Sequence, residues 1–152
     1  MILDSLLELS DAQAVTATAI SSNVIDLSPV ADNVLRDIGT GADFYLVLSV
    51  DTAFTTGTSA VLTAALVSDS TVNLATSPTT HTTPIAALAP ASLGAGAQFV
   101  VKLPPGSYEQ YVGIQYTVGV GSFTAGKINA FLTTDAQAYR AYADRQPISG
   151  NA

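Results

Sequence analysis

The 152-residue sequence has no cysteine, no tryptophan, one histidine and one methionine. Without cysteine there can be no disulfide framework, thiolate metal site or thiol nucleophile. The lone histidine, His81, would have to anchor any hydrolytic triad or multi-histidine metal site by itself. It stands in Thr79-Thr80-His81-Thr82-Thr83-Pro84, a loop-like stretch that reads as a surface or edge histidine rather than a catalytic base. Charge is scarce too: Asp, Glu, Lys and Arg make up 11% of the chain, where about a quarter is usual. Long apolar runs are missing, since no stretch approaches the roughly 18 residues of a membrane span. The opening Met1-Ile2-Leu3-Asp4 meets Glu8 and Asp11 where a secretory leader needs a basic start and an unbroken apolar run. The expectation is a protein made and assembled in a cytoplasm, with no membrane partner.

The composition that remains is apolar and small. Hydrophobic residues reach 48%, ample for a core and unlike a disordered chain. The length fits one domain, which at this size buries roughly 70% of the surface its unfolded chain exposes. The net charge of −7 is uneven. Residues 1–76 hold nine acids against Arg36; residues 77–152 hold three acids against Lys102, Lys127, Arg140 and Arg145. Phosphate-backbone binding needs clustered bases, so a nucleic-acid partner is not expected. A polarised surface that orients the protein on a partner fits this balance, as does plain solubility.

Periodicity points to strands. In Phe44-Tyr45-Leu46-Val47-Leu48-Ser49-Val50 the residues Phe44, Leu46, Leu48 and Val50 share one face, and Tyr45, Val47 and Ser49 take the other. Residues 15–20, 23–27, 60–67, 72–75, 99–103, 111–120 and 127–133 are further strand candidates, with Ile128, Ala130 and Leu132 expected to face inward in the last. Pro78, Pro84 and Pro90 demote any strand between residues 76 and 96 to an edge. About eight short strands with Gly and Pro punctuation, and no alternating long helices, predict an all-β antiparallel β-sandwich or jelly roll. Two flanks differ. Ile2, Leu6 and Leu9, with Leu3 and Leu7 beside them, have helical spacing. Residues 136–145 are Ala-rich and read as a short helix capped by Asp135 and closed by Pro147. The expected organisation is an apolar arm over residues 1–12, a sandwich over 13–135, and a C-terminal segment over 136–152.

Two patterns imitate functional motifs. Gly121-Ser122-Phe123-Thr124-Ala125-Gly126-Lys127-Ile128 has phosphate-loop spacing, but Ile128 stands where a Ser or Thr should hold magnesium. The residues after it alternate like a strand, whereas the motif needs a helix N-terminus. They read as a hairpin turn. Asp26, Asp32, Asp37, Asp43 and Asp51 are dense but lack the alternate-position spacing of a calcium loop. A glycosidase pair would meet in space rather than in sequence, yet there is no Trp for sugar stacking. Loop solvation is the favoured reading, with no enzyme activity, metal or cofactor expected. Tyr139 and Tyr142 around Arg140 form an aromatic-plus-Arg group of the kind enriched at protein interfaces; local packing on the domain explains them equally well.

The run Met1-Ile2-Leu3-Asp4-Ser5-Leu6-Leu7-Glu8-Leu9-Ser10-Asp11-Ala12-Gln13-Ala14-Val15-Thr16, continuing through Thr18 to Asn23-Val24-Ile25-Asp26-Leu27, resembles the start of the capsid cement (decoration) proteins of podovirus-type tailed bacteriophages. The strand at residues 44–50 and the segment at residues 137–142 are compatible with that likeness. The resemblance implies a jelly roll bound outside an icosahedral shell of major capsid protein with the HK97-type fold, pairing with itself as a homodimer and bridging capsomers. It carries over no catalytic motif. On this reading Ile2, Leu3, Leu6, Leu7, Tyr139, Arg140 and Tyr142 make contact with neighbouring proteins. The competing reading is a carbohydrate- or ligand-binding β-sandwich of a phage fibre or lectin type, with Tyr108, Tyr111 and Tyr116 standing in for Trp.

Overall fold

The computed structural model describes residues 4–28, 38, 41 and 43–136. Nine strands follow one another: β1 (Glu8–Ala14), β2 (Ala19–Ile20), β3 (Ile25–Asp26), β4 (Tyr45–Thr55), β5 (Val61–Asp69), β6 (Thr79–Leu88), β7 (Gln98–Lys102), β8 (Tyr111–Gly119) and β9 (Ala125–Thr133). Among the described residues there is no α-helix, and only the 3₁₀ turns Ser5–Leu7 and Pro90–Ser92 interrupt the β structure. The strands make two sheets, sheet A in the order β1-β9-β4-β7 and sheet B in the order β2-β8-β5-β6, with β3 also on β8.

Every pairing is antiparallel, and the pairs are nested. β1 pairs β9, β2 and β3 pair β8, β4 pairs β7, and β5 pairs β6. Successive pairs fall alternately in sheet A and sheet B, as happens when one long hairpin is rolled onto itself. The β4–β9 and β8–β5 pairings close the roll. This is a jelly roll: a two-sheet sandwich that stacks its inner faces about one core.

Alternation decides which side chains fill that core. Leu46, Leu48 and Val50 of β4 and Ile128, Ala130 and Leu132 of β9 face Leu62, Ala64 and Leu66 of β5 and Val112, Ile114 and Tyr116 of β8. The inward set expected from the sequence for β9 is therefore the set found. Tyr116 is fully buried, and its hydroxyl donates to Ser10 Oγ at 2.9 Å. Ser10 Oγ in turn donates to Gln13 Oε1 at 2.7 Å, and Gln13 Nε2 donates to the Ile20 carbonyl at 2.8 Å. The chain of bonds gives the buried Tyr116 and Ser10 hydroxyls their partners and ties β1 of one sheet to β2 and β8 of the other.

Four local expectations change. The helical spacing at the start yields only a 3₁₀ turn, capped by Asp4 through the Leu6 N–H, before β1 begins at Glu8. A short isolated helix is marginal, whereas pairing with β9 buries Leu9 and Ser10 completely. Residues 8–12 of the expected arm are thus part of sheet A. Residues 72–75 form a turn rather than a strand. His81 lies inside the ten-residue strand β6, which is an edge as its proline demands. The segment at residues 120–124 is not a hairpin, because β8 and β9 belong to different sheets. It crosses between them, and the buried Phe123 packs edge-to-face on Phe54 with centroids 4.9 Å apart. The helix expected at residues 136–145 falls, from residue 137 on, outside the described residues.

The sheet edges are poor templates for further strands. β1 carries two register shifts and Ala12 at φ 41°. β6 carries three, with Pro84 within it and Ala87 at φ 50°. β2 and β3 have two residues each and β7 five. Bulges, prolines and short strands discourage edge-to-edge association.

Candidate interaction surface

Of the seven residues expected to touch neighbours, Ile2, Leu3, Tyr139, Arg140 and Tyr142 lie outside the described residues. Leu6 and Leu7 sit in the turn that precedes β1. Leu6 is 57% exposed, while Leu7 is half-buried and packs against the core. The turn therefore splits the pair, one leucine anchoring the segment and the other offered to solvent. Val72 and Val120 are the other large apolar side chains exposed among the described residues. They follow Asp69 and Gly119, which mark opposite ends of the β5–β8 pairing, so the two do not form one patch with each other.

The residues weighed for chemistry are placed structurally. His81 Nε2 lies 2.7 Å from Ser68 Oγ, and its ring stacks on Tyr108 at 4.0 Å. Tyr108 donates its hydroxyl hydrogen to the Pro104 carbonyl at 2.8 Å. The group pins β5, β6 and the loop before β8 together. Burial pushes the His81 pKa down against the opposing charge of Glu109. Ser68 has no exposed surface, so no substrate can reach its hydroxyl while the fold stays closed. Asp43 pairs with Lys102 at 2.9 Å on a well-exposed surface, where such a pair adds little stability. Among the described residues no three acids or histidines come close enough to hold a metal ion, and no helix is long and apolar enough to cross a membrane. Of the carboxylates dense in the first third, Asp32 and Asp37 lie outside the described residues. Of the three tyrosines that would have to serve a sugar, Tyr116 is buried and Tyr108 is covered on one face by His81, while Tyr111 is half-buried at the start of β8.

Asp69 shows what a buried acid does here. It has no exposed surface and accepts N–H hydrogens from Ser70 at 2.6 Å, Thr76 at 2.8 Å and Ser77 at 3.3 Å. Burial raises its pKa, but the bonds from Thr76, Ser77 and Ser70 outweigh it and leave the group lowered from 3.8. A carboxylate with a depressed folded pKa contributes stability that is complete above the unfolded value and is lost as pH falls through the folded one. Asp69→Asn is accordingly expected to lower Tm by a few degrees at pH 7 and by less at pH 3. Thermal melts at the two pH values check this; an equal loss at both would contradict it. The organised loop lays Leu74 on the outer face of sheet B beside Gly113, where an added Cβ would come within 2.7 Å of Leu74 Cδ1.

The outer face of sheet A holds a feature the sequence reading did not single out. Cross-strand register aligns Glu8, Phe131, Val47 and Val100 in one row and Asn129, Ser49 and Gln98 in the next. Val47 is completely buried although it points away from the core, and Phe131 is 7% exposed. Around them Glu8, Asp11, Ser49, Gln98 and Asn129 border a concavity of about 260 Å³. The signal was present in β4, whose second face carries Tyr45 and Val47 where a solvated face would be polar.

A search of curated proteins finds no match. Residues 9–132, from the second residue of β1 to the last residue but one of β9, match the model of a phage-related family, and the chain belongs to that family, Bbp16.

Proposed function

We propose that this protein is a non-enzymatic structural component of a phage virion, binding the outside of an icosahedral capsid and cementing neighbouring major capsid protein subunits of the HK97-type fold. The observation that carries the reading is membership in a phage-related family by a chain whose first residues resemble capsid cement proteins. The physical character of the fold supports it. A closed sandwich with bulged or short edges is stiff and resists uncontrolled self-association. Repeated over a shell, many modest contacts add up through multivalency and reinforce the junctions that resist packed DNA. Pairing of two copies, implied by the resemblance, belongs to the same proposal, as does a location on the capsid surface. Nucleic acid and membrane have no part in it.

The test uses shells stripped of the protein. Deleting residues 1–12 would remove most of β1, so loss of binding could reflect unfolding. Leu6→Asp is cleaner, because Leu6 is mostly solvent-exposed. It is expected to change Tm by no more than about 2 °C, as surface substitutions do, and to reduce shell occupancy several-fold. Unchanged occupancy would reject the role of the opening segment.

A further inference from the structure

We propose that β7, the outer strand of sheet A, pairs antiparallel with β7 of a second copy about a two-fold axis at Val100. The inference rests on the reading of the protein as a capsid protein that pairs with itself, and it names the surface that joins the copies. The guards on the sheet edges differ in kind. β1 and β6 are bulged, and β2 and β3 have two residues each. β7 is guarded by length alone. Gln98-Phe99-Val100-Val101-Lys102 pairs with β4 without a register shift and contains no Gly or Pro. Five residues is an ordinary strand length; it limits the ladder to one short partner and does not forbid it.

The backbone specifies the occupant. Leu103 N–H donates to the Phe44 carbonyl and Val50 N–H to the Ala97 carbonyl, both at 2.8 Å. Hydrogen-bonded and non-bonded pairs alternate along an antiparallel ladder. Phe99 and Val101 therefore turn their N–H and C=O groups to β4, while Gln98, Val100 and Lys102 turn theirs outward. Among the described residues no hydrogen bond reaches that outer row. An extended strand satisfies it, and the row is symmetric about Val100. In the two-fold register Val100 meets Val100 of the second copy, and Gln98 meets Lys102 of the second copy. On the opposite face Phe99 meets Val101 of the second copy, an aromatic and β-branched pair that suits neighbouring strands. Phe99, Val100 and Val101 are half-buried in one chain, and pairing covers more of their apolar surface. Charge agrees with this choice. A chain of net charge −7 repels its own copy, so two copies meet where carboxylates are fewest. β7 has none, and β6, which lies beside it in the other sheet, has no Asp, Glu, Lys or Arg. Asp43, next to the edge, is already paired with Lys102. The register also keeps the two Lys102 side chains apart. An isologous contact of this kind uses both β7 edges at once and leaves neither for further growth.

The absence of cysteine makes the register directly testable in the full chain. Partners in a hydrogen-bonded antiparallel pair lie about 5.5 Å apart at Cα, within disulfide reach. In a glutathione redox buffer V100C is expected to form a disulfide-linked dimer about tenfold faster than V120C, because pairing raises the local thiol concentration. Val120, at 74% exposure, is the more accessible of the two and so controls for random collision. Q98C and K102C should each stay monomeric alone and cross-link when mixed. In analytical ultracentrifugation the wild type should dimerise as its concentration rises, and V100P about tenfold more weakly, since proline removes an outward N–H and leaves the bonds to β4 intact. A thermal melt checks that V100P folds; if it does not, the cysteine pattern alone decides. Self-linking of Q98C or K102C without a mixed product, V120C reacting as fast as V100C, or a monomeric wild type with no V100C dimer would overturn the proposal. Shell binding separates this inference from the reading beneath it. Wild-type protein that fails to bind stripped shells counts against the cement function, and the cross-links still decide the edge. Shell binding by a protein whose cysteine variants fail the pattern counts against the edge alone.

Discussion

Tyr116→Ala is expected to lower the unfolding free energy by about 3–5 kcal/mol, the range for deleting a large buried aromatic. Among the described residues Tyr116 is the largest fully buried side chain, and it belongs to the core between the two sheets. Its removal opens a cavity and also leaves Ser10 Oγ without its donor. Tyr116→Phe separates the two effects. It keeps the ring and deletes only the hydrogen bond, for an expected loss of about 1 kcal/mol. Burial holds the phenol neutral far beyond physiological pH, so both losses should be independent of pH between 6 and 9. Urea unfolding of the two variants checks the ratio. Equal losses would mean that the hydroxyl network, not the packing, dominates. Domains of this kind have only about 5–15 kcal/mol in hand, so the alanine variant should sit near the limit of folding.

Gly126→Ala is expected to cost about 2–4 kcal/mol although it adds one methyl group. Gly126 has φ 150°, where a side chain is strained by about 1–3 kcal/mol. An added Cβ would also run into the Phe54 ring, which is held from the other side by Phe123. Such overpacking costs a further 1–3 kcal/mol or so, and the two penalties overlap as the ring gives way. Phe54→Leu should itself destabilise, yet it should recover part of the Gly126→Ala loss in the double variant, because the two residues are in contact. Gly94 supplies the control. Nothing lies within 4 Å of its added Cβ, and Gly94→Ala should stay within about 0.5 kcal/mol. Thermal melts of the four variants test the set; additive losses at Gly126 and Phe54 would contradict the clash.

The sandwich was legible where a strand has one wet and one dry face. Ile128, Ala130 and Leu132 alternate cleanly, and so do Val112, Ile114 and Tyr116. Strand identity was lost where tertiary pairing overrode local spacing. Leu6 and Leu9 share helical spacing, but only β9 reveals that Glu8–Ala14 completes a sheet. The Thr-rich run at residues 79–88 carries no apolar alternation and still forms β6, because an edge strand needs only one partner. The phosphate-loop imitation at residues 121–128 leads into a strand, as its alternation indicates, but the sheet that receives β9 is set by the roll and not by the turn.

The candidate surface was less legible, for a geometric reason. Glu8, Val47, Gln98 and Phe131 stand far apart in the chain and become neighbours only through strand register. No spacing rule connects them. The exposed leucine of the opening turn was found because Leu6 and Leu7 lie in one apolar run. Even there, only the fold separates the leucine exposed to solvent from the one that anchors the turn.

The most direct test is a cryo-EM reconstruction of purified virions, compared with particles assembled without this protein. The cement reading predicts two-layered β density on the outer surface at junctions between capsomers, present in the first map and missing from the second. Identical shell exteriors, or density for this chain confined to the tail or to the inside of the shell, would contradict it.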